Sequence, residues 1–176
     1  MLNINRMKLK LGDNLISKIP GIKFHCFLVK NLNNLRKSST VTQLLRGASV
    51  VARNKLKTPN KRNFFETYIN HTLDPESTLL ESYLFTNRIK KVQGDKEVDL
   101  GNNFANLLNY FSFKYFLPIF GFDLDQADAD YLVDFYEPKK GKKAPELDFN
   151  IETRHAVFWF PNLTHLSEED LAQIYH

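Results

Sequence analysis

An aromatic-rich segment in the second half of the chain restricts the fold more than any other part of the sequence. This segment, FANLLNYFSFKYFL over residues 104–117, has apolar side chains at three- and four-residue spacing. The spacing predicts a helix, and its apolar residues cover much of two faces, so other elements must enclose it on most sides. Asn102 and Asn103 open this helix with polar side chains, and Pro118 ends it because proline cannot continue a helix.

The chain is long enough to build that enclosure within one domain. It has 176 residues, and no internal repeat or low-complexity linker divides it. We therefore expect a single domain over residues 1–176.

Six other segments carry signals of regular secondary structure. Short apolar runs predict strands, whereas three- and four-residue apolar spacing or a capping residue predicts helices. The predicted strands are 24–30, 131–136 and 155–160, and the predicted helices are 40–56, 74–92 and 167–175. In the helix over 40–56 the expected apolar face comprises Val41, Leu44, Leu45, Ala48, Val51 and Ala52. Gly94 offers a left-handed stop for the next helix. Because helices and strands intermix, the expected class is α/β or α+β, with a mixed sheet flanked by helices.

Membrane, secreted and cofactor-dependent classes are disfavoured. Lys114 and Pro118 interrupt the longest aromatic stretch, which falls short of the roughly 20 apolar residues of a membrane span, so no membrane partner is expected. The N-terminus lacks the pattern of a secretory signal, and the single cysteine, Cys26, cannot form an internal disulfide. Both observations favour the cytoplasm. No phosphate loop or serine nucleophile elbow is present, and no cofactor is predicted.

Clustered aspartates raise the question of a cation site. Four of them lie between positions 123 and 130, but they do not follow the spacing of a calcium-binding loop, and the histidines lack zinc spacing. A structural or solvated role is favoured over metal binding, and no metal is predicted.

The charge is divided unequally along the chain. Residues 1–65 carry 14 Lys and Arg against one acid, a net charge of +13, whereas residues 66–176 carry 10 against 19, a net charge of −9. Lysine and arginine clusters gain affinity for nucleic acids by displacing counterions condensed on phosphates. The asymmetry therefore indicates either a polyanionic partner or a basic part that packs beside the acidic part.

A stripe of cations on the helix over 40–56 favours RNA. At about 100° per residue, Arg46, Arg53 and Lys57 fall on one narrow strip of its surface, and Lys61 and Arg62 follow shortly after it. A phosphate backbone can lie along such a strip, and a solvated helix face is the alternative interpretation.

The order of segments from Asn102 to Tyr136, NNFANLLNYFSFKYFLPIFGFDLDQADADYLVDFY, resembles a known family. It is similar to the B3/B4 tRNA-binding domain of the β subunit of bacterial phenylalanyl-tRNA synthetase and of its free-standing relatives. There a paired-asparagine helix start leads through an apolar helix to a proline turn, an aromatic–aspartate pair and a strand. The segments FHCFLVKNLNN, FFETYINHTLDPESTLLESYLF and ETRHAVFWF extend the likeness over most of the chain.

The resemblance implies a B3/B4-like fold, a tRNA or other RNA partner, and an editing pocket in which mischarged aminoacyl-tRNA is hydrolysed. Carried across by position, Asn102 and Asn103 correspond to the paired asparagines, Pro118 to the pocket proline and Asp123 to the aspartate. Phe120 would line the pocket for an aromatic side chain.

Two departures from the family keep other functions open. The synthetase form has a histidine after the pocket proline where this chain has Phe120, and the family's editing glutamate aligns near Trp159. One alternative is therefore a non-catalytic RNA-binding or ribosome-associated protein that kept the fold. The other is a protein-interaction subunit of a larger assembly, whose acidic and basic faces contact partners.

Overall fold

A computed structural model describes residues 9–18, 23–58, 78–96, 98–125, 131–133, 135–136, 149–161, 169 and 172. Four helices and seven strands are assigned within these ranges. The helices are α1 (Asp13–Lys18), α2 (Ser39–Lys57), α3 (Leu80–Gln93) and α4 (Asn103–Tyr115). The strands are β1 (Leu9–Leu11), β2 (Phe24–Val29), β3 (Thr78–Leu79), β4 (Phe120–Asp123), β5 (Tyr131–Val133), β6 (Phe135–Tyr136) and β7 (Ala156–Pro161).

The main sheet has three antiparallel strands in the order β2-β7-β4. Its central strand, β7, places Trp159 opposite Cys26 of β2 and opposite Phe120 of β4. Two smaller pairs accompany it: β1 with β5 in parallel, and β3 with β6 antiparallel. The fold is a mixture of helices and sheets of the α+β type, which confirms the class predicted from the sequence.

Helix α4 lies between two hydrophobic clusters, as its two apolar faces predict. One cluster joins α4 to the main sheet and includes Phe104, Leu108 and Phe158. The other joins α4 to α2 and α3, and Phe113 is its α4 member. All four side chains are fully buried. Burial on both sides leaves α4 little exposed surface, and its polar residues Asn106, Asn109 and Ser112 are buried as well.

The ends of the long helices follow local capping chemistry. The Ser38 hydroxyl accepts a hydrogen bond from the backbone N of Val41 (3.3 Å) at the start of α2. At the start of α4 the side chain of Asn102 accepts a hydrogen bond from the backbone N of Ala105. The helix ends at its C-cap, Phe116, which has a left-handed backbone conformation with φ 62°. Pro118 then follows outside the helix, as predicted.

Two expectations about the helices are wrong. Leu44 and Val51, assigned to the apolar face of α2, are 41% and 45% exposed, because the buried face is narrower than the apolar pattern. The left-handed residue after α3 is Asp95, with φ 58°, rather than Gly94. The backbone N of Gly94 instead still bonds to the carbonyl of Lys90 (3.1 Å).

Other expectations are met in part. The strands predicted at 24–30 and 155–160 are β2 and β7. The segment predicted as a strand at 131–136 contains β5 and β6. The start predicted for the second helix at residue 74 lies outside the described residues, as does most of the helix predicted at 167–175. Among the described residues, none of the helices has the length and apolar character needed to cross a bilayer.

Candidate functional site

Asn102 works as the N-cap of α4. Its side-chain oxygen accepts a hydrogen bond from the backbone N of Ala105 (2.7 Å), and its side-chain nitrogen donates to the carbonyl of Phe149 (3.0 Å). The residue has the extended backbone that N-caps adopt. Its carboxamide is therefore engaged at both ends within the fold.

Asn103 is 1% exposed and binds the loop that precedes α2. Its side-chain oxygen accepts from the backbone N of Ser38 (2.8 Å), and its side-chain nitrogen donates to the carbonyls of Arg36 (2.8 Å) and Asn33. In return, the side-chain oxygen of Asn34 accepts from the backbone N of Asn103 (2.7 Å). The two asparagines thus tie together the starts of α2 and α4.

The aromatic part of the predicted pocket is filled by protein. Pro118 and Phe120 are buried, and the Phe120 ring lies 4.7 Å from the Trp159 ring, measured between centroids. Phe122 packs against the same indole at 5.1 Å. Trp159 is completely buried, so it occupies the space beside both phenylalanines.

Asp123 is buried and binds the segment that leads into β7. One carboxylate oxygen accepts from the Thr153 hydroxyl (2.6 Å), and the other accepts from the backbone N of Asp125 (2.8 Å). Thr153 in turn accepts from the backbone N of Asn150 (3.0 Å). The carboxylate therefore joins the end of β4 to residues 149–155.

Asp125 and His155 form a pair that the sequence did not reveal. The Asp125 carboxylate lies 2.8 Å from His155 Nδ1 and also accepts from the backbone N of His155 (2.9 Å) and of Arg154. Burial raises the pKa of the Asp125 carboxyl, but these hydrogen bonds outweigh burial and hold the pKa below its usual value. The contact between Asp125 and His155 follows from the register of the main sheet. Strand β4 pairs Asp123 with Ala156 of β7, and this antiparallel register brings positions 125 and 155 together.

These placements bring several predicted site residues to one segment, residues 149–155. Asn102 donates to the carbonyl of Phe149, and Asp123 accepts from the hydroxyl of Thr153. Asn34 contacts both Asn103 and Asn150 and so links them. Phe120 and Pro118 lie apart from this network, in the packed interior. The polar residues that the resemblance assigned to substrate thus have well-defined partners inside the protein.

The basic stripe, defined here as Arg46, Arg53 and Lys57, lies on α2 away from its buried face. Arg46 and Lys57 are exposed and Arg53 is half-buried. Arg53 Nε donates to the carbonyl of Val92 (3.2 Å), and the guanidinium pairs with Asp95 (2.5 Å). Lys61 and Arg62 fall outside the described residues.

A cleft of about 460 Å³ runs beside the basic stripe, between α2 and the turn after α3. Arg46, Arg53 and Lys96 contribute cations to its lining, while Asp95 and Asp99 contribute acids. Asp99 also pairs with Lys37. Burial raises the pKa of Asp99. Hydrogen bonds, of which the one from Lys37 is the strongest, outweigh burial and hold the pKa below its usual value. Part of the positive charge on α2 is therefore neutralised by the protein's own carboxylates.

Comparison with known protein families, with characterised proteins and with solved structures finds no match. Within the described ranges, no three histidine, cysteine or acidic side chains come together as metal ligands would.

Proposed function

We propose that this protein binds RNA through the basic stripe of α2. The observation that supports the proposal is the charge of the helix: it contains Arg46, Arg53, Lys55 and Lys57 and no acidic residue. Arg46 and Lys57 are exposed on the side of α2 turned away from the core. A helix with exposed cations along one strip offers a row of contacts to successive phosphates.

The surrounding sequence extends this positive region. The described stretch 36–58 contains six lysines and arginines and no acid. Asp95 neutralises part of the charge of Arg53, but the Asp95 side chain is 80% exposed, and an exposed pair contributes little and is screened by salt. Phosphate oxygens can therefore replace the Asp95 carboxylate at small free-energy cost.

The resemblance to the B3/B4 domain makes tRNA the RNA to test first. It also suggests hydrolysis of a mischarged aminoacyl-tRNA, but Asn103 and Asp123 already bind backbone and hydroxyl groups of the protein. Binding without chemistry therefore fits the described geometry better than an editing hydrolase does.

A salt series with labelled tRNA tests the proposal. Arg46→Glu/Lys57→Glu is expected to weaken binding and to make the slope of log K against log salt shallower by about 1.4–1.8, since each of the two phosphate contacts contributes roughly 0.7–0.9. Lys23→Glu/Lys30→Glu is a matched control, because these exposed cations flank β2 and the charge change is the same. Equal losses in the two variants, or unchanged affinity in the first, would contradict a site on α2.

A parallel assay addresses chemistry. The wild-type protein is incubated with tyrosyl-tRNA of the phenylalanine acceptor and with the correctly charged phenylalanyl-tRNA. Retention of both esters together with RNA binding is the expected result. Selective release of tyrosine would instead support an editing hydrolase, and it would require an opening near Asn102 and Asp123.

A further inference from the structure

Helix α2 contains a glycine, Gly47, at its middle. Glycine in a helix interior is less favourable than alanine because it gives up more backbone freedom on folding. A Cβ atom added at Gly47 would meet no heavy atom within 4 Å in the part of the chain that the structure describes. Internal packing there does not require the glycine.

Gly47 lies in a groove of about 410 Å³ between α2 and α4, called here the Gly47 groove. Leu44 and Val51 border it on α2, and Tyr110 and Lys114 border it on α4. Leu44, Gly47 and Val51 follow the i, i+3, i+7 spacing with which helices pack against one another. Because Gly47 has no side chain and lies between the exposed Leu44 and Val51, the backbone of a third helix can approach α2 closely at this point.

The rim of the Gly47 groove is positive. No acid lies on α2, and Lys114 places its ammonium at the α4 side. Interaction with Tyr115, and to a smaller extent with Tyr110, raises the pKa of Lys114 and outweighs burial, which lowers it. The ammonium therefore stays charged at neutral pH. The groove therefore has an apolar floor and a cationic border.

We infer that the Gly47 groove binds an amphipathic helix of a partner protein that carries acidic residues beside its apolar stripe. The apolar side chains of that helix would pack on Leu44 and Val51, with its backbone over Gly47. Its carboxylates would face Lys114 and, beside it, Lys55 of α2, whose ammonium donates to the carbonyl of Lys114 (2.8 Å). Helix-in-groove recognition of this kind takes its affinity from a few buried anchors and its orientation from charge.

An unpaired RNA base fits the groove less well. The Lys114 ammonium lies over the Tyr110 ring, 5.5 Å from its centroid, and Phe111 packs against the same ring with centroids 5.0 Å apart. Little ring surface is left for stacking. At about 100° per residue, Gly47 and Arg46 differ by about 100° around the helix, and Leu44 and Arg46 by about 160°. The partner site and the basic stripe are thus separate surfaces, and the inference does not rest on RNA binding.

Fluorescence anisotropy with designed peptides tests the inference. The probe is an 18-residue amphipathic helix with leucine on one face and glutamate beside it, and its counterpart carries lysine in place of glutamate. The acidic peptide is expected to bind the full chain with micromolar affinity, and the lysine peptide at least about tenfold more weakly, a difference that charge complementarity of a few contacts can supply.

Substitution at Gly47 supplies a variant that keeps the fold. Gly47→Leu places a side chain in the groove, and its Cβ meets no described atom within 4 Å. It should therefore retain or raise the melting temperature and reduce acidic-peptide affinity at least about tenfold. Gln93→Leu is the matched control, because it adds the same side chain at an exposed helical position on α3, away from the α2 and α4 residues that line the groove.

Four results would overturn the inference. The first is absence of acidic-peptide binding up to about 1 mM, the limit of weak specific recognition. The second is equal binding of both peptides, and the third is equal affinity of Gly47→Leu and Gln93→Leu. Loss of tRNA affinity in Gly47→Leu with no loss of peptide affinity would also overturn it, since RNA would then occupy the groove.

Discussion

Replacing Asn103 by alanine should destabilise the fold far more than an ordinary surface change does. The substitution removes three hydrogen bonds, to the backbone N of Ser38 and to the carbonyls of Arg36 and Asn33. Each such bond contributes about 0.5–1.5 kcal/mol net, and the partners left behind are part-buried, so the expected loss of unfolding free energy is about 2–4 kcal/mol. For a chain of this length that corresponds to a fall in Tm of roughly 5–15 °C.

Urea unfolding followed by circular dichroism measures the loss. Asn102→Ala is the matched control: it removes a neighbouring cap in the same helix and one hydrogen bond to the carbonyl of Phe149, and its expected loss is about 1–2 kcal/mol. A loss below about 1 kcal/mol for Asn103→Ala, or losses that do not differ between the two variants, would refute the reasoning that Asn103 joins the starts of two helices. In that case the buried carboxamide would be available for another role, such as contact with a substrate ester.

Three further predictions concern single positions. Gly47→Ala should raise the unfolding free energy by about 0.5–1 kcal/mol, because the position is helical and open; a decrease in thermal melts would contradict this. Gly121→Ala should lower it by about 1–3 kcal/mol, since the new Cβ would lie 2.5 Å from Cδ1 of the fully buried Phe158 ring, and chemical denaturation checks this. Asp125 has a lowered pKa in the folded protein, so its stabilising effect is present above the unfolded pKa of about 3.9 and is lost as the pH falls through the folded value. The stability difference between wild type and Asp125→Asn should therefore shrink between pH 6 and pH 3, and a constant difference would contradict the assignment.

Local signals predicted the elements whose ends are fixed by their own residues. Helix α4 begins after Asn102 and ends before Pro118, because one side chain caps free amides and the other cannot continue a helix. Strand β2 was recognisable as a short apolar run. In each case the information lies within a few residues of the boundary.

Features that depend on distant neighbours could not be predicted in the same way. The apolar spacing of α2 includes Leu44 and Val51, but only the positions of α3 and α4 decide which half of that pattern is covered. Strand β4 was not predicted, because its short sequence FGFD gains its strand character from pairing with β7.

The same limit applies to the candidate site. Asn103 and Ser38 are 65 residues apart, and Asp125 and His155 are 30 apart. The resemblance placed Asn102, Asn103 and Asp123 in a pocket, but the partners of these side chains became visible only through the tertiary fold. The basic stripe, by contrast, follows from helical periodicity within a single element, and the structure places Arg46 and Lys57 on the exposed side as expected.

The central position of β7 has a consequence for synthesis on the ribosome. In the described part of the chain, β7 is the neighbour that both outer strands of the main sheet share, and it is translated after each of them. A nascent polypeptide that stops short of residue 156 holds β2 and β4 with unsatisfied backbone edges, which are templates for intermolecular pairing. The main sheet therefore closes only after β7 has been translated, and truncation before β7 should yield an aggregating product rather than a smaller folded one.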